Sequence, residues 1–230
     1  MSRLISLATL LAATTTTLLT TPAAAASSNC TAAGAAHIVV TRESGAPQGT
    51  SAMNVVALGI QEKCPGSDIT EPVYPAELSP YEPSESEGTG NLTELVLAYQ
   101  EECPDSKMVL LGYSQGAQVT ADFLCGTSEV GWPATDAYAA TVADSVAAIV
   151  LFGDPSFVKD LAWDRGTANN TSYFPRQNNT ACEPVADQFV SYCDYNDLYC
   201  DDGDSIEVHA TYVLRYGDAA VDYVVDKLGC

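Results

Sequence analysis

Ser114 lies between two glycines in Gly112-Tyr113-Ser114-Gln115-Gly116, directly after the apolar run Met108-Val109-Leu110-Leu111. A serine at the end of a buried strand suits a strained strand-to-helix turn, where small neighbours leave its hydroxyl clear of the backbone. Apolar positions at Ala117, Ala121 and Leu124 continue the segment as a helix, completing strand, sharp turn and helix. Such a serine is a candidate nucleophile. Its hydroxyl, near its free pKa, needs a base in hydrogen-bond reach and a carboxylate that holds the base in the right tautomer. In a strand elbow of this kind the acid and then the histidine follow the serine along the chain. Of the two histidines, His37 and His209, only His209 lies downstream. His209 is therefore the candidate base, and His37, at the start of the first strand pattern, reads as structural. Many carboxylates separate Ser114 from His209. Asp197 sits inside the loop bounded by Cys193 and Cys200, and a disulfide closing that loop would hold an aspartate rigidly near the strand ends. Asp194 and Asp201 are rivals, Glu207 a weaker one.

The elements that must position these groups follow from hydropathy. Residues 37–41, 107–112, 147–152 and 187–192 are strand-like, residues 69–74 form a weaker fifth strand, and helical patterns cover 49–63, 90–102, 114–125 and 217–228. Short, nearly continuous apolar strands alternating with helices predict an α/β fold with a parallel sheet covered on both faces. Residues 79–90 and 164–184 read as surface loops of the same domain, and no internal repeat is visible.

Arg3, the apolar and threonine-rich stretch after it and Ala23-Ala24-Ala25-Ala26 read as a secretory signal over residues 1–26. The remaining residues 27–230 are expected to form a single domain with one sizeable core. No later segment has the length and apolarity of a membrane span, and the C-terminus lacks the hydrophobic tail of a lipid-anchor signal. A net charge of −21 repels nucleic acid and anionic membranes and suits neutral substrates, though a solvated acidic surface accounts for it as well. Eight cysteines in a secreted chain point to four disulfides. No Cys-x-x-Cys pair occurs and histidines are few, so neither a metal site nor another cofactor is implied. Sequons at Asn29, Asn91, Asn169, Asn170 and Asn178 fit a secreted glycoprotein.

Taken together, residues 112–118, the early Thr41-Arg42-Glu43-Ser44, the segment Phe152-Gly153-Asp154-Pro155 and the Cys193 to Cys200 loop followed by His209 resemble the cutinase and acetylxylan esterase family of small secreted serine esterases. The resemblance runs from about Cys30 to the C-terminus. It implies a small α/β-hydrolase fold with five central parallel strands and no lid domain, and a catalytic triad of Ser114, Asp197 and His209. It also implies an oxyanion hole from the backbone N–H groups of Gln115 and Ser44, with the Ser44 hydroxyl as a further donor. Bridges Cys30–Cys103 and Cys125–Cys182 are implied beside Cys193–Cys200. Cys64 and Cys230 remain by default, at the ends of the first and last helical patterns. Those helices share a face of the sheet in an α/β hydrolase.

Within the family, Tyr199 resembles a tyrosine of acetylxylan esterases where cutinases carry a smaller aliphatic residue, and a ring there would narrow the acyl pocket toward acetate. Asp204-Ser205-Ile206-Glu207-Val208 is more polar than a cutin-binding rim. The expectation is a secreted, extracellular, monomeric serine esterase that removes acetyl groups from acetylated xylan through an acyl-enzyme. A cutinase acting on longer polyester or lipid esters is the alternative. A catalytically silent secreted binding protein on the same fold stays open.

Overall fold

The computed structural model describes residues 29–230, so the signal segment expected at 1–26 lies outside the described residues. Six parallel strands form one sheet: β1 (Ala36–Thr41), β2 (Asp68–Thr70), β3 (Lys107–Tyr113), β4 (Val146–Phe152), β5 (Asp164–Gly166) and β6 (Phe189–Cys193). Their order is β2-β1-β3-β4-β6-β5. The central strands are buried on both faces and therefore apolar almost throughout.

Alternate side chains serve opposite layers, as the two-residue period of a strand requires. Ile38, Val40, Val109, Leu111, Val150 and Phe152 pack toward α1 (Asn54–Lys63) and α6 (Tyr212–Leu228). Val39, Met108, Leu110, Ile149 and Leu151 pack toward α2 (Tyr81–Glu102) and α3 (Gln115–Cys125). Burying one such side chain contributes about 1.5–3 kcal/mol. The short helices α4 (Ala139–Val142) and α5 (Ile206–His209) complete the set, with a 3-10 helix at Thr180–Gln188.

Several sequence expectations need correction. The sheet has six strands rather than five, because Asp164–Gly166, inside the segment read as a loop, pairs with β6 through Asp164 opposite Ser191. Three largely polar residues at an edge pair through their backbone and leave no hydropathy signal. The weak strand at 69–74 shortens to Asp68–Thr70, since Pro72 has no N–H to extend a ladder. Residues 79–90 are mostly helix: α2 starts at Tyr81 and tolerates Pro83 because N–H groups of a first turn have no intrahelical acceptor. Its buried face there carries Ser84, Glu85, Gly88 and Thr89 instead of aliphatics. A Cβ on Gly88 would lie 2.8 Å from the Tyr74 ring and 2.9 Å from Val119, so only glycine lets α2 approach so closely.

Four disulfides staple the layers: Cys30–Cys103, Cys64–Cys230, Cys125–Cys182 and Cys193–Cys200. Among the described residues no helix is long and apolar enough to cross a membrane.

Candidate active site

Ser114 caps the turn between β3 and α3 with φ 54° and ψ −121°, a left-handed conformation that a non-glycine residue adopts at a cost. Its N–H donates to the Phe152 carbonyl at 2.9 Å, tying the turn to β4. The flanking glycines are required by close backbone approach. A Cβ on Gly112 would lie 2.6 Å from the Gly116 carbonyl oxygen, and one on Gly116 would lie 2.1 Å from that of Thr41.

His209 ends α5, which Ser205 starts by accepting the Val208 N–H on its side-chain oxygen at 3.1 Å. His209 Nε2 lies 2.9 Å from Ser114 Oγ, and Nδ1 lies 3.0 and 3.1 Å from the two Asp197 oxygens. The acid loop and the histidine loop are joined directly. Ser205 N–H donates to the Asn196 carbonyl at 2.9 Å, and Leu198 N–H to the Ser205 carbonyl at 3.3 Å. From the other side, the Tyr113 hydroxyl donates to the His209 carbonyl.

Asp197 is fully buried. Burial opposes its charge, but hydrogen bonds from His209 and from the N–H groups of Cys200 and Tyr199, at 2.9 and 2.7 Å, outweigh it and hold the carboxyl below its ordinary range. The rivals stand elsewhere. Asp194 pairs with Arg215 and accepts from Tyr216 and Thr167. Asp201 accepts the N–H groups of Asn169, Asn170 and Asn196, and Glu207 is exposed. His37 stacks on Tyr99 and contacts Asp68, remote from Ser114 in the sheet.

Gln115 is the first residue of α3, so its N–H has no carbonyl one turn back to accept it. Its side chain is fixed by Ser84 at 3.1 Å and by the Glu77 carbonyl at 3.0 Å. Ser44 rides on a pinned loop. Arg42 lies 4.5 Å over the Tyr74 ring and donates from Nε to the Ala46 carbonyl, while Gly45 N–H donates to Ala76 at 2.7 Å. The Ser44 hydroxyl oxygen is buried and has no hydrogen-bond partner among the described residues. Both Ser44 and Ser114 border the same open space.

Two cavities flank Ser114. The larger, about 360 Å³, is lined by His209, Tyr113, Ala52, Glu43 and Ile206, and the smaller, about 160 Å³, by Tyr81, Pro155, Tyr173 and Phe174. Ser44, Leu78, Ser114 and Tyr199 border both. Tyr199 stands edge-on to the His209 ring, centroids 4.7 Å apart. Leu78 and Ile206, 61% and 56% exposed, make the mouth more apolar than the sequence around Ile206 implies. Sequence reasoning missed Leu78 and Tyr81 as wall residues, because α2 and the loop before it carry no chemical motif. Among the described residues no group of three or more His, Cys, Asp or Glu is placed to hold a metal ion.

Comparison with known proteins places the chain in a family. The cutinase family profile matches residues 32–228. Acetylxylan esterase from Hypocrea jecorina is 33% identical over 205 residues, covering 84% of this chain and 67% of the relative. Acetylxylan esterase 2 from Talaromyces purpureogenus is 30% identical over 205 residues, covering 85% and 87%. The solved catalytic core domain of acetyl xylan esterase from Trichoderma reesei superposes with a TM-score of 0.78 at 30% identity, covering 85% of this chain and all of that one. With a serine elbow, the same sheet and this extent of similarity, the chain belongs to the cutinase family of serine carboxylic-ester hydrolases.

Proposed function

We propose that the protein is a secreted, extracellular esterase that removes acetyl groups from acetylated polysaccharide, xylan being the substrate named for its relatives. The observation that carries the mechanism is the hydrogen-bonded chain from Ser114 through His209 to Asp197, at 2.9 and 3.0 Å. Ser114 Oγ attacks the ester carbonyl while His209 Nε2 takes its proton, and the ionised Asp197 holds Nδ1–H toward itself and favours the imidazolium that forms. The oxygen that gains charge is met by the N–H groups of Gln115 and Ser44 and by the Ser44 hydroxyl, donors fixed before substrate arrives. His209 returns its proton to the departing sugar oxygen, and water repeats the sequence to free acetate.

Four disulfides support an oxidising compartment. On this reading residues 1–26 are a removed signal and residues 27–230 a single catalytic domain that works as a monomeric glycoprotein. A cutinase-like preference for longer esters is the second reading, favoured by exposed Leu78 and Ile206 at the cavity mouth. The test compares p-nitrophenyl acetate, p-nitrophenyl laurate and acetylated xylan with wild type and Ser114→Ala. Acetate release from xylan and weak laurate cleavage are expected, with kcat lost by about four to six orders of magnitude in Ser114→Ala. Laurate cleavage above acetate cleavage favours the second reading, and a folded Ser114→Ala variant with wild-type activity removes the triad assignment.

A further inference from the structure

We infer that the smaller cavity beside Ser114 is an acyl site shaped for a planar aromatic ring, so that the protein also hydrolyses esters of arylcarboxylic acids. The inference rests on the proposed esterase mechanism and extends it to a second class of acyl group.

The two cavities receive different halves of an ester. A tetrahedral adduct on Ser114 Oγ carries an oxyanion, an alkoxy group and the acyl substituent. The alkoxy oxygen must reach His209 Nε2 to take its proton, so the alcohol occupies the cavity that His209 lines. The oxyanion faces Ser44 and Gln115. The acyl substituent is left with the cavity that touches Ser44 and Ser114 but not His209.

That cavity is far larger than an acetyl methyl needs. Its volume is about 160 Å³, and an apolar cavity of about 150 Å³ is enough to bind benzene. Its walls are Leu78, Tyr81, Pro155, Tyr173, Phe174 and Tyr199. Three aromatic rings are already packed around Phe174. Tyr81 stacks on it at 5.6 Å, Tyr173 meets it edge-on at 4.7 Å, and Trp132 lies tilted at 5.4 Å. The Tyr81 hydroxyl donates to Gln118 Oε1 at 3.0 Å, and Gln118 does not line the cavity, so the hydroxyl's donor is already satisfied and asks nothing of a bound ring. A ring entering such a wall gains offset or edge-to-face contacts that a flexible alkyl chain of similar carbon number does not.

The wall is preformed. Ser172, Phe174 and Arg176 N–H groups donate to the carbonyls of Phe157, Pro155 and Ser156 at 3.0, 2.9 and 3.1 Å, and Tyr173 N–H donates to Tyr199 at 2.7 Å. Arg176 is buried beside this segment and paired with Asp122 and Glu129. A rigid ring placed in a rigid wall loses little further freedom. The chemistry balances as in any acyl transfer. The Ser114 Oγ–carbonyl bond forms, the ester C–O bond breaks, the Ser114 proton leaves on the alcohol, and water then cleaves the aroyl-enzyme to the arylcarboxylic acid.

The test uses p-nitrophenyl acetate, hexanoate and benzoate, which share one leaving group, with each kcat/KM divided by the rate of hydroxide-catalysed hydrolysis of the same ester. Wild type is expected to favour benzoate over hexanoate. The benzoate-to-acetate ratio should fall by about ten-fold in Phe174→Leu and in Tyr173→Ala, equivalent to about 1.4 kcal/mol of transition-state binding. Tyr173 is 60% exposed, so its truncation reads the contact without depending on the core. Benzoate cleavage below hexanoate cleavage in wild type, or a ratio unmoved in both variants, overturns the inference. Acetate cleavage without benzoate cleavage overturns this inference alone, whereas a wild type that cleaves none of the three esters overturns the esterase reading with it.

Discussion

A Cβ built on Gly153 would lie 2.9 Å from Cε1 and 3.0 Å from Nδ1 of His209, so the imidazole that faces Ser114 sits directly on a bare backbone. Gly153 follows β4 and has φ 61°, a conformation that costs an alanine about 1–2 kcal/mol. Gly153→Ala is therefore expected to push the ring off the Ser114 hydroxyl. A displacement of about 1 Å in a catalytic group costs about 100-fold in rate. Steady-state kinetics should show that fall in kcat with a folded protein by circular dichroism, and an unchanged kcat would mean the ring can move aside without consequence.

The buried charges around Arg176 make stability depend on pH in an unusual direction. Burial is the main cause that pushes Glu85 up to about 7, Asp122 up to about 7 and Glu129 up to about 8. The folded protein thus holds protons that the unfolded chain, with ordinary carboxyl groups near 4, has already released. Unfolding releases protons between about pH 4 and pH 8, so stability falls as pH rises through that window. Asp197 acts with the opposite sign. Its depressed pKa contributes stability that is lost only as pH falls below the ordinary aspartate range. Melting temperature followed from pH 4 to pH 9 should peak on the acid side, and Glu129→Gln should flatten the decline. A melting temperature that climbs from pH 5 to pH 8 would contradict this.

How legible these features are in the sequence depends on what each residue answers to. β1, β3 and β4 show as apolar runs because both their faces are covered. Ser114 and His209 stand out because one sits in a glycine elbow and the other is the single downstream histidine. The first half of α2 is hidden because its buried positions answer to polar and steric partners. Glu85 accepts from Thr89 at 2.6 Å, Ser84 donates to Gln115, and Gly88 makes room for Tyr74. The aromatic wall joins Tyr81 to Phe174, 93 positions apart, and no local pattern announces such a meeting. Asp197 had rivals in sequence because Asp194 shares its cysteine-bounded loop and Asp201 directly follows it, and hydrogen-bond geometry separates the three.

The bridge Cys193–Cys200 encloses a separation of 7 residues, against 73 for Cys30–Cys103. In the loop-entropy view the short bridge stabilises the fold less. Yet Cys200 N–H is one of the donors that fix Asp197, at 2.9 Å. Replacing Cys193 and Cys200 together by serine should lower kcat by about ten-fold or more while lowering the melting temperature only modestly. Replacing Cys30 and Cys103 should do the reverse. If both pairs mainly lower the melting temperature, the short bridge serves the fold and not the acid.

Tyr199 offers the cleanest separation of side chain from backbone in the site. Its N–H donates to Asp197 Oδ1 and its carbonyl accepts from Tyr173, both at 2.7 Å, so the main chain keeps its place whatever side chain it carries. The ring itself borders both cavities and stands against His209. Tyr199→Ala removes that partition and gives an extended acyl chain room that the short cavity denies it. Each newly buried methylene contributes up to about 0.8 kcal/mol. Two of them exceed the roughly 1.4 kcal/mol that equals one decade in kcat/KM. The hexanoate-to-acetate ratio for p-nitrophenyl esters should therefore rise by about ten-fold or more. Acetate turnover should itself stay level or fall, since the edge contact that steadies His209 is lost. A chain-length profile left unchanged by Tyr199→Ala would show that the ring does not bound the acyl site, and would shift weight to the apolar pair Leu78 and Ile206 as the residues that set ester preference.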